Sequence, residues 1–293
     1  MVTLTFTDHS RTVELPSPAG GLAPRSRTLV TVVRYPALGA PAGAAGAAGA
    51  IPHAPPLAGA HPLIVFAPGY DTAPSTYAGL LDAWARAGFV VAAPFFPLTS
   101  SASPRLDESD IVNQPADIRF VISSLLAADH APGPVEGLID PSAVGIAGHS
   151  DGGGTMAAVA FDGCGQRAPV RAAVIIAGAG VNLCSAPYFP PGSPPLLVVQ
   201  GLADSARVRR LSLQLYRDDP WPKYLLALPG GTHTSPVIGD GPEVPVVERV
   251  TTDFFDATLK RGAGAVSRLA RDGDVVGLAT LTSANQGRGA PAP

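Results

Sequence analysis

Six short apolar runs, "HPLIVFAPG", "FVVAAPFF", "AVGIAG", "RAAVIIAGAG", "PLLVVQG" and "YLLALPGG", follow one another along most of this chain. None alternates apolar with polar residues, as a strand with one wet face does. Each reads as a strand buried on both faces, a situation that a parallel sheet covered by helices provides. Most of the segments between them carry helical spacing. "PSTYAGLLDAWARAG" spaces Tyr77, Leu80, Leu81 and Trp84 as a helix does, with Pro74 and Ser75 suited to its start and Gly88 to its end. Residues 110–129 do the same with Ile118, Val121, Ile122, Leu125 and Leu126. Pro115 leaves the beginning of that helix open, and Asp117 and Arg119 read as its solvated face. Further helices are predicted from about Gly152, around Ser205 to Tyr216, and from about Val244 to Lys260. With two β-branched strands at the start, "VTLTF" and "TLVTVVRYPA", the pattern specifies an α/β fold: an about eight-stranded, mostly parallel sheet with helices on both faces.

The 293 residues fit a single domain over 1–262, followed at 263–293 by a short amphipathic helix, "AVSRLARDG", and a polar tail. The Ala/Gly/Pro-rich stretch at about 37–60 is uncharged, but its Pro and Gly content could not hold a helix in lipid, so it reads as a surface linker and no membrane span is expected. Hydrophobic residues make up 46% of the chain, which suits a large core, whereas charged residues at 15% predict an unusually neutral surface. A net charge of −3 supplies no polybasic footprint, which argues against nucleic acid as a partner. The opening "MVTLTFTDHSRTVELP" has no signal-peptide pattern; the expectation is a cytoplasmic protein, or a secreted one if a leader has been removed. Cys164 and Cys184 are not spaced as a metal site and read as two free thiols or one disulfide. No His/Cys/Asp/Glu cluster and no Gly-rich phosphate or dinucleotide loop is visible, so no metal and no cofactor is expected.

One stretch carries chemistry. In "VGIAGHSDGGGTMAAVAF", Ser150 lies where a predicted strand meets a predicted helix, with Gly148 and Gly152 two positions to either side. Gly-x-Ser-x-Gly in that setting is the nucleophile-elbow pattern: the turn is so sharp that side chains at the flanking positions would collide with the neighbouring strand or helix. The bland alternative is a Gly-rich loop with a serine N-cap. Two later residues weigh against it. Asp204 falls just beyond the strand "PLLVVQG" and His233 just beyond "YLLALPGG", so serine, acid and histidine arrive in chain order at the carboxyl ends of successive strands. Asp218, Asp219 and Asp240 are the competing acids, all in polar turns. His9, His53, His61 and His130 read as ordinary surface residues, and no histidine other than His233 follows the acid.

These motifs resemble the α/β-hydrolase superfamily from about Thr28 to Lys260. "FAPGYDTAPSTYAGLLDAWARAGFVVAAP" together with "GHSDGG" is similar to the branch that holds chlorophyllases, dienelactone-hydrolase-like proteins and cutinase-like polyester hydrolases. The resemblance implies a serine esterase with Ser150 as nucleophile, His233 as general base and Asp204 as the acid that orients it. It also implies an oxyanion hole made by the backbone N–H groups of Tyr70 and Asp151. The Tyr70 ring and His149 become candidates for lining the substrate. Asp151 stands where cutinase-like enzymes carry Met and chlorophyllases carry Arg, and Ser150 stands where dienelactone hydrolases carry cysteine. The space between "FVVAAPFF" and the elbow leaves no room for a large lid. The expected substrate is therefore a small or polymeric carboxylic ester with a short to medium acyl chain, polyester and lipid-like esters included, cleaved by a monomer. Two alternatives stay open: a non-catalytic ligand-binding relative, and a peptidase or carbon–carbon hydrolase using the same triad.

Overall fold

The six apolar runs become strands β3 (His61–Ala67), β4 (Val90–Pro94), β5 (Ile139–His149), β6 (Val170–Ile176), β7 (Leu196–Gly201) and β8 (Lys223–Leu228) in a computed structural model. It describes residues 1–38, 49–163, 168–183, 188–220 and 222–284. Two long strands precede them, β1 (Val2–Pro16) and β2 (Leu22–Arg34), and β9 (Thr280–Ala284) follows. All nine share one sheet in the order β1-β2-β4-β3-β5-β6-β7-β8-β9. Pairing is parallel from β4 through β8 and antiparallel at β1/β2, β2/β4 and β8/β9. The α/β-hydrolase architecture expected from the sequence is thus the one observed.

Side chains alternate across the sheet, and each set finds its own layer of helices. Leu63, Val65 and Ala67 of β3 join Val144 and Ile146 of β5 under Ile118, Val121, Ile122 and Leu125. Those four belong to α2 (Gln114–Asp129), and Met156 and Phe161 of α3 (Asp151–Phe161) complete the layer. Ile64 and Phe66, one residue out of phase, face the opposite layer with Trp84 of α1 (Ala78–Arg86) and Phe254 and Phe255 of α5 (Glu243–Phe255). The remaining helices are α4 (Ala206–Asp218) and α6 (Ala265–Gly273). Pro115 sits in the first turn of α2, where a missing N–H costs no helical hydrogen bond, and a 3-10 turn over Glu108–Asn113 leads into it.

Three expectations change. Residues 280–284 are not tail: they form a ninth strand that closes the β8 edge, with Leu281 packed on the core. Its polar sequence, TLTSA, shows no buried pattern because most of its side chains are exposed. The first strand runs ten residues beyond "VTLTF", passing through an irregularity between Asp8 and Thr12. Asp117 is not on a solvated face either. It is fully buried and, with Asp110, holds the buried Arg27 of β2 through four hydrogen bonds of 2.6–2.9 Å. Of the 37–60 stretch, the described ends close on each other: the Leu38 N–H donates to the Pro55 carbonyl and the Leu57 N–H to the Pro36 carbonyl. Cys164 and Cys184 lie outside the described residues. Among the described residues no helix is long and apolar enough to cross a membrane, and no group of three or more His, Cys, Asp or Glu could hold a metal ion.

Candidate active site

The chain leaves β3 toward β4 on one side and later returns to β5 on the other, so β3 and β5 are neighbours whose outgoing loops diverge. Such a switch point opens a crevice at the carboxyl ends of the strands. Ser150 stands there. It joins β5 directly to α3 with φ 55° and ψ −121°, a region that non-glycine residues rarely enter and that only firm surroundings maintain. Those surroundings are close. The Ser150 N–H donates to the Ile176 carbonyl of β6 at 3.0 Å, and the Ser150 carbonyl accepts the Gly154 N–H at 3.0 Å. A Cβ on Gly148 would overlap the Gly152 backbone, and one on Gly152 would overlap the carbonyls of Ala67 and Pro68. The flanking glycines are therefore clearances, as the motif implies.

His233 and Asp204 converge on this serine from two other loops. His233 Nε2 lies 2.8 Å from Ser150 Oγ, and His233 Nδ1 lies 2.8 Å from Asp204 Oδ2. Since the carboxylate can only accept, Nδ1 carries the imidazole proton and Nε2 is free to accept from the serine hydroxyl. Asp204 is held in turn. Its Oδ1 accepts the Ser205 N–H at 2.6 Å, and its Oδ2 accepts from Gln200 Nε2 at 3.3 Å. The two loops meet at Gly201 and Gly231, where a Cβ on Gly201 would overlap the carbonyls of Gly231 and Thr232. The Ala203 N–H also donates to the Gly231 carbonyl at 2.9 Å. These paired glycines are a signal that motifs read one at a time do not carry. Asp218, Asp219 and Asp240 take no part in this relay.

The predicted oxyanion donors flank the serine. Asp151 opens α3, so its N–H has no helical acceptor. Tyr70 follows Gly69, whose backbone lies against Ser150: a Cβ on Gly69 would stand 3.3 Å from Ser150 Cβ. Tyr70 is 36% exposed at the surface. Half-burial pushes the Asp151 carboxyl above the usual carboxylate range, and the negative charge of Glu108 adds to this while His233 opposes it.

His149, a candidate for lining the substrate, is a buried side chain. It is only 2% exposed, because its position at the tip of β5 turns the ring under the relay rather than out of it. Its Nε2 lies 2.8 Å from the His233 carbonyl and its Nδ1 3.0 Å from the Tyr77 hydroxyl. Burial lowers its pKa to about 4, outweighing the hydrogen bond to the His233 carbonyl. Tyr77, read from the sequence as an apolar helix residue, is fully buried and accepts the Gly69 N–H at 3.1 Å. Nothing in its sequence context singles out that hydroxyl.

Fold and crevice together have the architecture of the α/β-hydrolase fold. Residues 45–186, from the linker through β6, match the Chlorophyllase family. A ferulic acid esterase from Streptomyces cinnamoneus superposes with a TM-score of 0.63, covering 89% of this chain and 90% of that one at 21% identity. No curated protein matches the chain.

Proposed function

We infer that the chain hydrolyses carboxylic esters of short to medium acyl length through an acyl-enzyme on Ser150. The observation that carries this reading is the unbroken relay from Ser150 Oγ through His233 to Asp204, with both contacts at 2.8 Å. His233 Nε2 takes the hydroxyl proton as Oγ bonds to the ester carbonyl carbon, and the carbonyl electron pair moves onto oxygen. The N–H groups of Tyr70 and Asp151 stabilise that oxyanion, each by about 3 kcal/mol. The pair then returns, the alcohol leaves with the proton from His233, and a water activated by the same imidazole releases the acid. Asp204 keeps the imidazole in the required tautomer and balances its charge while it is protonated.

The setting of the relay supports an accessible site and a modest substrate. The His233 side chain is 34% exposed, which admits the hydrolytic water. Among the described residues, the connection between β6 and β7 holds no helix that could act as a lid. The test is hydrolysis of p-nitrophenyl acetate, butyrate and octanoate by the wild type and by Ser150→Ala. The variant should lose at least about a thousandfold in kcat, as removal of a triad nucleophile does. Retention of most of the activity would overturn the assignment.

A further inference from the structure

The relay uses Ser150, His233 and Asp204 but leaves two buried polar side chains beside it without a part: Tyr77, fully buried, and His149, 2% exposed. One direction of hydrogen bonding satisfies both ring nitrogens of His149, with the Tyr77 hydroxyl also 3.3 Å from the Thr72 hydroxyl. The His233 carbonyl can only accept, so the His149 nitrogen facing it at 2.8 Å, Nε2, carries the proton. His149 Nδ1 is then an acceptor, and the Tyr77 hydroxyl 3.0 Å away donates to it. The Tyr77 oxygen in turn receives the Gly69 N–H at 3.1 Å. Thr72, whose hydroxyl donates to the Gly69 carbonyl at 2.6 Å, holds the same residue from its other side.

This chain of bonds joins two loops that the sheet keeps apart. Gly69 immediately precedes Tyr70 at the end of β3, His233 follows β8, and β5, β6 and β7 lie between those strands. His149, at the tip of β5, bridges them. We propose that Tyr77 and His149 are positioning residues that lock the Tyr70 amide and the His233 imidazole at one spacing around Ser150. The inference rests on the acyl-enzyme reading above, since it assigns no contact with substrate to either residue. A neutral His149 fits this role because one nitrogen donates while the other accepts, which gives the bridge a single direction. The ring centroid also lies 4.9 Å from that of His233, with the planes tilted by 44°, and 5.6 Å from that of Tyr77, tilted by 58°, which makes tilt as well as distance part of the constraint.

The variants Tyr77→Phe, His149→Phe and His149→Gln separate positioning from packing. Active sites are counted by the end-point of fluorophosphonate labelling, and kcat per labelled site and KM are measured on p-nitrophenyl butyrate. Tyr77→Phe and His149→Phe should lower kcat per labelled site by about tenfold to a hundredfold, the scale on which small misplacements of reacting groups act. Their KM should stay within about twofold, because the lost contacts serve the transition state rather than ground-state binding. His149→Gln, whose amide can still donate to the His233 carbonyl, should recover part of the kcat that His149→Phe loses. Unchanged kcat per labelled site in both Phe variants, with loss confined to thermal stability or to the labelled fraction, would overturn the proposal. Wild-type protein that hydrolyses the ester with no label on Ser150 would instead overturn the acyl-enzyme reading beneath it, a different and separable result.

Discussion

Ser150 and His149 are adjacent in sequence and answer to different physics. Ser150 is held at positive φ by close contacts on every side, and its hydroxyl faces the His233 imidazole. His149 is held by burial, which keeps it neutral. Folding therefore favours the unprotonated form. The stability this contributes is complete above the ordinary histidine value of 6.5 and is lost as pH falls through about 4. Replacing His149 by Phe removes that dependence, so the stability difference between wild type and variant should shrink by about 2 kcal/mol between about pH 7 and about pH 5. Urea denaturation at several pH values measures it, and a difference independent of pH would contradict the assignment. At this scale the sequence is readable where a pattern carries a steric reason. The glycines around Ser150 announce a tight elbow, and Asp204 and His233 announce themselves by following strands. His149 is not readable in this way, because adjacency in sequence says nothing about the side of the strand tip to which a ring turns.

Among the elements, the packing of α2 on the sheet depends on more than its apolar stripe. Asp117 of α2 and Asp110 of the preceding turn both bind Arg27 of β2, and Arg11 from the first strand reaches Asp117 at 2.8 Å. Burial works against the Arg27 charge, and the hydrogen bonds to Asp110 and Asp117 outweigh it. Arg27→Met would leave Asp110 buried without its cation and Asp117 with Arg11 alone, which costs about 3–5 kcal/mol. Chemical denaturation should show that loss; a change below about 1 kcal/mol would mean that the carboxylates find water or protons instead. The stripe Ile118, Val121, Ile122 and Leu125 is legible because helical spacing reports the buried face. Asp117 is not, since the same spacing is silent on what a polar residue meets across an interface. Here it meets an arginine 90 positions away.

The whole molecule follows from the apolar runs. A continuous run buried on both faces has few homes, and six of them, with helices in four of the five intervals, leave mainly a parallel sheet in two helical layers. β9 escapes such a reading because an edge strand with a wet face carries little apolar signal, and its pairing with β8 depends on the finished sheet. Sheet order also brings the loops of β3, β5, β7 and β8 to one edge, where four separate stretches of sequence become one crevice. The central claim is that this crevice hydrolyses esters through a covalent intermediate on one residue. Its most direct test is peptide mapping by mass spectrometry after reaction with a fluorophosphonate. A single adduct on Ser150, absent from Ser150→Ala and formed in step with loss of esterase activity, is the predicted result. Full esterase activity without an adduct, or inactivation by an adduct elsewhere with Ser150 untouched, would contradict it.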